Sequence, residues 1–129
     1  MRHFLIYGIA ISIISISMLI GCGNDDERAP ADIPAQELVQ SECSADEDCP
    51  GGRCITGIGD GLCTANCTTQ EDCPEETICT DTESSSGGVC LLSCSTGSEC
   101  TEHLGSAYTC DEESDLTTGE DVRVCIDGR

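Results

Sequence analysis

Residues 43–67 read CSADEDCPGGRCITGIGDGLCTANC, and the cysteine spacing of this stretch starts again at Cys67 and again at Cys94. The first copy is C-x5-C-x4-C-x8-C, followed by three residues. The second, Cys67, Cys73, Cys79 and Cys90, is C-x5-C-x5-C-x10-C, again followed by three residues. The third, Cys94, Cys100, Cys110 and Cys125, is C-x5-C-x9-C-x14-C. The first interval is constant while the later loops grow, which is the signature of tandem units rather than one large core. The spacing predicts a small disulfide-rich protein of three four-cysteine modules, 43–66, 67–93 and 94–129, each a short helical turn plus a β-hairpin, with low regular secondary structure.

Working outward, the apolar residues cluster in the first 20 positions. From Cys43 onward the large apolar side chains are Ile55, Ile58, Leu62, Ile78, Val89, Leu91, Leu92, Leu104, Tyr108, Val122, Val124 and Ile126. Their burial falls well short of the conformational entropy lost on ordering the array. Modules of about 25 residues also lie below the roughly 40-residue limit for folding without covalent or metal help. Loop-closing bridges supply the missing constraint. Of 13 cysteines, Cys22 stands apart from the array, so the other twelve are read as six bridges.

Residues 1–21 have the form of an export signal: Arg2 provides positive charge and residues 4–20 form an apolar run,. That run is short for a membrane span, since 17 residues of helix reach about 25 Å against a hydrocarbon core of about 30 Å,. Its end, Leu19-Ile20-Gly21-Cys22, resembles the bacterial lipobox. The resemblance implies cleavage between Gly21 and Cys22, diacylglycerol on the Cys22 sulfur and an acyl chain on the new amino terminus. These chains anchor the protein stably to a membrane. Gly23, rather than aspartate, comes after the lipid-bearing cysteine, which points to the outer membrane, periplasmic or surface-exposed. Residues 22–42, with Pro30, Pro34 and many small or charged side chains, read as a disordered tether that offers no core-facing stripe,.

Inside the copies, Ser44-x-x-Glu47 and Thr68-x-x-Glu71 are capping-box patterns, with Thr96-x-x-Glu99 a displaced version,. Pro50 and Pro74 come directly after the second cysteine and stop the turn,. The third and fourth cysteines flank hairpin loops, GIGDG in the first copy, a loop containing SSSGG in the second and a long acidic loop with a mobile tip in the third,. A turn lying across a hairpin favours first-to-third and second-to-fourth bridges. These are Cys43 to Cys54, Cys49 to Cys63, Cys67 to Cys79, Cys73 to Cys90, Cys94 to Cys110 and Cys100 to Cys125. Each quartet allows three pairings, and spacing alone does not choose between them.

The run Asp46-Glu47-Asp48-Cys49-Pro50-Gly51-Gly52-Arg53-Cys54 resembles the D-x-D-C-P-x-G-x-x-C repeats of bacterial cysteine-rich lipoproteins, and is similar to the amino-terminal cysteine-rich domain of Dickkopf proteins. The second copy keeps Glu71-Asp72-Cys73-Pro74 but has Glu76 in place of glycine; the third keeps Glu99-Cys100 and has Thr101 in place of proline. The resemblance implies extracellular, non-catalytic interaction modules.

Other chemistries are weighed residue by residue. With no C-x2-C pair and an oxidising destination, zinc ligation and thiol oxidoreduction are set aside in favour of structural bridges,. Asp46, Glu47 and Asp48, or Asp111, Glu112, Glu113 and Asp115, offer oxygen ligands for weak calcium binding but match no EF-hand loop,. His103 is read as a solvated loop histidine without a nucleophile beside it, so no catalytic residues are assigned,. Asn66-Cys67-Thr68 fits a glycosylation sequon by chance,. The net charge of −20, with no lysine, repels nucleic acid and anionic headgroups,. The expectation is a non-catalytic envelope lipoprotein without a cofactor beyond its lipid, presenting stapled modules for a structural role or for interaction with a protein partner. An inhibitor of an extracellular hydrolase, acting through residues 57–61 or 112–121, is the alternative, and a calcium-dependent envelope component the third reading.

Overall fold

In the computed structural model, which describes residues 28–82 and 87–128, each quartet begins with a turn capped by an acid. Asp48 Oδ2 accepts the backbone N–H groups of Ser44 and Ala45 at 3.0 and 3.1 Å. Asp72 Oδ2 accepts those of Thr68 and Thr69 at 2.8 and 3.1 Å. Glu99 Oε2 accepts those of Ser95 and Thr96 at 2.7 and 3.3 Å. The capping acid is thus the residue immediately before the second cysteine in all three copies. The expected boxes at Ser44-x-x-Glu47 and Thr68-x-x-Glu71 are one residue out of register, and Thr96-x-x-Glu99 is not displaced at all. The acid must stand at the third position of a turn whose cap is the second residue after the first cysteine, and in the first two copies that makes it an aspartate.

Proline decides where the capped turn ends. Asp46–Asp48 and Gln70–Asp72 are single 3-10 turns that stop where Cys49 (φ −108°, ψ 132°) and Cys73 (φ −108°, ψ 144°) become extended. Pro50 and Pro74 impose this, because the proline ring clashes with a helical predecessor. In the third copy Thr101 stands there instead. The turn runs on as helix α2, Gly97–Leu104, burying Cys100 and Leu104 and stopping at Gly105 (φ 102°).

The hairpins place the third and fourth cysteines directly across from one another. Strands β2 (Arg53–Ile55) and β3 (Leu62–Thr64) pair Cys54 with Cys63. Strands β5 (Thr77–Asp81) and β6 (Gly88–Leu92) pair Cys79 with Cys90. Strands β7 (Tyr108–Asp115) and β8 (Asp121–Asp127) pair Cys110 with Cys125. Each of these cysteines reaches back to the turn. The six bridges are Cys43–Cys54, Cys49–Cys63, Cys67–Cys79, Cys73–Cys90, Cys94–Cys110 and Cys100–Cys125.

The third hairpin departs from the expected long loop. Its ladder continues to Ser114 opposite Asp121, and the Asp115 amide donates to Glu120 O at 2.8 Å, so the acidic stretch is a strand ribbon with exposed carboxylates rather than a mobile tip. The tip docks on the second quartet: the Leu116 amide donates to Cys79 O at 2.9 Å, and the Gln70 amide donates to Thr117 Oγ1 at 3.1 Å.

The expected tether is corrected as well. Residues 28–42 fold onto the array through a 3-10 turn at Pro30–Asp32, the short helix α1 at Ala35–Leu38 and strand β1 at Gln40–Ser41, which pairs with β3. Ile33, Ala35, Leu38 and Val39 are buried, the last two completely. Proline at the first helical position suits a helix start, and the three-residue step from Ala35 to Leu38 puts both on one face. Gly51 admits this packing, since a Cβ there would lie 2.5 Å from Leu38 Cδ1 and from Thr64 O. Residues 22–27 lie outside the described residues.

Two sheets result. One has the order β1-β3-β2, and the other, with strand β4 at Asn66–Cys67 as one edge, has the order β4-β6-β5-β7-β8. The second sheet crosses the boundary between the second and third quartets through β5 and β7, which pair at Thr80–Asp115 and Asp81–Ser114. A contiguous apolar cluster runs from Ile33, Leu38 and Val39 through Ile58, Leu62, Val89 and Leu91 to Leu104, Tyr108, Val124 and Ile126. The protein is a small, strand-rich body held by six disulfides, with one apolar cluster reaching all three quartets and the four cysteines of the first quartet packed as a separate cluster.

Candidate interaction surface

The carboxylates singled out as calcium ligands do not converge. Asp46 Oδ1 accepts the Cys54 amide at 2.8 Å, while Asp48 is committed to its cap. Asp111 Oδ1 accepts the Glu112 amide at 2.8 Å, and Asp115 Oδ1 accepts those of Thr117 and Thr118 at 2.7 and 3.1 Å. Among the described residues, the sets of three potential ligand atoms lying within 4.8 Å of one another are cysteine sulfurs, all of them closed in disulfides. The amide bonds have an electrostatic consequence. They hold Asp72 (Thr68 first, then Thr69) and Glu99 (Ser95 first, then Thr96) below the ordinary carboxylate range, and the Thr118 amide lowers Asp115.

His103 and Tyr108 tie the quartets together. The His103 Nε2 lies 3.1 Å from Val39 O, so the side chain, although exposed, stands on α2 and anchors the amino-terminal segment instead of sitting in a loop. The Tyr108 hydroxyl donates to Gly61 O at 3.0 Å, inside the first hairpin loop. Burial first, and then the nearby charges of Asp60, Asp127 and Glu42, push its phenol up to about 12. Residues 57–61 are therefore pinned from beneath: Ile58 is fully buried while Gly57, Gly59 and Asp60 remain exposed.

Sequence reasoning marked Glu76 as a departure from the repeat glycine but assigned it no structural role. It has φ 69°, matching Gly52 (φ 71°) at the equivalent place in the first copy, so a side chain occupies a left-handed position that glycine fills elsewhere. Glu76 is held there from two directions. Its carbonyl accepts the Ser93 amide and hydroxyl, both at 2.9 Å, and its carboxylate accepts Gln36 Nε2 at 3.1 Å. The signal available beforehand was the glutamate at the repeat's glycine position.

A shallow groove of about 330 Å³ runs between the amino-terminal segment and the edge of the larger sheet, lined by Ala29, Pro30, Ala31, Asn66, Cys67, Thr68, Glu71 and Asp72. Its walls are mostly small and apolar, with carboxylates along one rim. A second depression of about 280 Å³ lies among Gln36, Glu76, Leu92, Ser93, Glu99 and His103. Arg53 and Arg123 are the basic residues of the strands; Arg123 Nη1 donates to Ser95 O at 2.7 Å. Gly21 and Cys22, where cleavage and lipidation are expected from the sequence, lie outside the described residues. Among the described residues no helix is long and apolar enough to cross a membrane. No protein-family model matches the chain, and neither curated proteins nor solved structures yield a match.

Proposed function

We propose that this is a non-catalytic envelope lipoprotein, anchored through lipid on Cys22, that presents a stapled acidic body to protein partners. The observation that carries this reading is the conversion of all twelve array cysteines into six bridges, which leaves no array thiol for redox or metal chemistry. The capping carboxylates of Asp48, Asp72 and Glu99, and His103, are engaged in backbone hydrogen bonds that shape the fold. The three quartets repeat one turn-plus-hairpin plan over a shared apolar cluster. On this reading the anchor is close. Cys22 to Arg28 spans at most about 20 Å of chain, so the body rides near the bilayer instead of on a 20-residue tether. Intact-mass analysis of exported protein, before and after reduction, combined with cross-linking in whole envelopes, tests the proposal. It calls for acyl mass on Cys22, twelve hydrogens gained on reduction and a protein adduct. Free thiols in the oxidised form, or an uncleaved leader, would overturn it.

The alternative, inhibition of an extracellular hydrolase, is favoured by the pinned loop at residues 57–61, because a rigid exposed loop loses little entropy on entering a cleft. Resistance of a panel of extracellular proteases to millimolar protein would exclude it. A calcium-dependent role loses weight because Asp46 and Asp48 already accept amide hydrogens. A melting temperature raised by millimolar calcium would restore it.

A further inference from the structure

We infer that the groove between residues 29–31 and the β4 edge is the docking site for an extended, basic segment of a partner protein. The inference rests on the interaction reading above and names the partner's chemistry. Strand β4 closes the sheet on one side, pairing Asn66 with Val89 and Cys67 with Gly88. Ala65 O accepts the Cys90 amide at 3.1 Å. Alternation along an antiparallel pair therefore turns the N–H and C=O of Asn66 away from β6 and toward the groove. An edge of this kind accepts the backbone of an added strand, with side-chain choice set by the flanking walls. Here those walls are small: Ala29 and Ala31 are exposed and Pro30 half-buried, leaving room for alternate short apolar side chains.

Charge selects the occupant. Glu71 is exposed on the rim and Asp72 lies beside it, within a chain of net charge −20. A second copy would bring the same carboxylates face to face. The chain's own residues just ahead of the groove, Asp25, Asp26 and Glu27 with Arg28, carry three acids against one base and so do not complement the acidic rim. A lysine- or arginine-bearing strand satisfies both the edge and the rim, and its association is steered by the long-range field.

The test uses the exported full-length protein in detergent with its bridges intact, and two nine-residue peptides, one alternating lysine and valine, the other glutamate and valine. Binding is read by fluorescence anisotropy and by amide chemical shifts. The basic peptide is expected to bind, to shift Ala31, Asn66 and Thr68, and to lose at least about tenfold in affinity between 50 mM and 500 mM salt. Glu71→Lys and Ala31→Arg, both at exposed positions, should weaken it about fivefold or more. Glu112→Lys, an equal charge change to Glu71→Lys but on the β7 ribbon, should weaken it less than about twofold. Equal weakening by Glu71→Lys and Glu112→Lys, shifts confined to the ribbon, binding of the acidic peptide, or no binding of the basic one would each overturn the inference. The cross-linking experiment on envelopes reports separately on the interaction reading, so failure here and failure there are distinguishable.

Discussion

At the scale of single residues, the left-handed backbone at Glu76 is the clearest departure from what its side chain prefers. A non-glycine residue there costs about 1–2 kcal/mol, and Gly52 at the equivalent position avoids that cost. Glu76→Gly is therefore expected to stabilise the protein by about 1 kcal/mol, the strain relieved exceeding an exposed bond to Gln36. Denaturant midpoints measured with bridges intact will show it. Tyr108 yields a second test. Its phenol should titrate near 12 in ultraviolet absorbance, and protein with the phenol held neutral keeps that contribution below the unfolded value of 10.0. The contribution is lost as pH rises through the folded value, so alkaline unfolding should begin above pH 10. In Tyr108→Phe that alkaline limb should flatten, at a cost near neutrality of about 1 kcal/mol for the hydrogen bond to Gly61 O. Neither effect is visible in the sequence. The chain carries a glutamate where its repeat has glycine, but only the backbone shows that the conformation survived the replacement.

At the scale of elements, the capped turn is the unit that repeats most faithfully, and the residue after the second cysteine sets its length. Proline at residues 50 and 74 stops the first two turns, and Thr101 lets the third become α2. Thr101→Pro should cost about 3 kcal/mol, because the ring removes an amide hydrogen bond and clashes with the preceding turn. It should also loosen Leu104 and the His103 contact with Val39 O, seen as faster amide exchange over residues 35–41. The caps predict an acid-sensitive fold. Asp72 and Glu99 have folded values below 3.8 and 4.5, so their stabilisation is complete above those unfolded values and lost as pH falls through the lowered ones,. Asp72→Asn should flatten the acid limb of a stability-against-pH curve, while a limb unchanged from the parent would show that the cap carries no linkage. These turns were partly legible. The pattern S/T-x-x-E located them, but the register is set by the bridges on either side, which a local pattern does not see.

At the scale of the whole molecule, the amino-terminal segment decides whether the quartets are beads or a body. Leu38 and Val39 are fully enclosed, and the segment touches every quartet: Gln40 and Ser41 pair with β3, Gln36 donates to Glu76 and Val39 O meets His103. Leu38→Ala should cost about 3 kcal/mol. It should also do so in one transition, since a shared core makes the body unfold cooperatively; separate melting of the three quartets would contradict the shared core. By itself the sequence determined that twelve cysteines serve as bridges in a small disulfide-rich protein, because covalent closure must stand in where apolar side chains are scarce. The tertiary structure alone decided that residues 30–42 belong to the core and that β5 and β7 join two quartets into one sheet. Both depend on contacts between stretches far apart in the chain, where a few isolated apolar residues such as Ile33 and Leu38 acquire meaning only once a complementary surface folds against them.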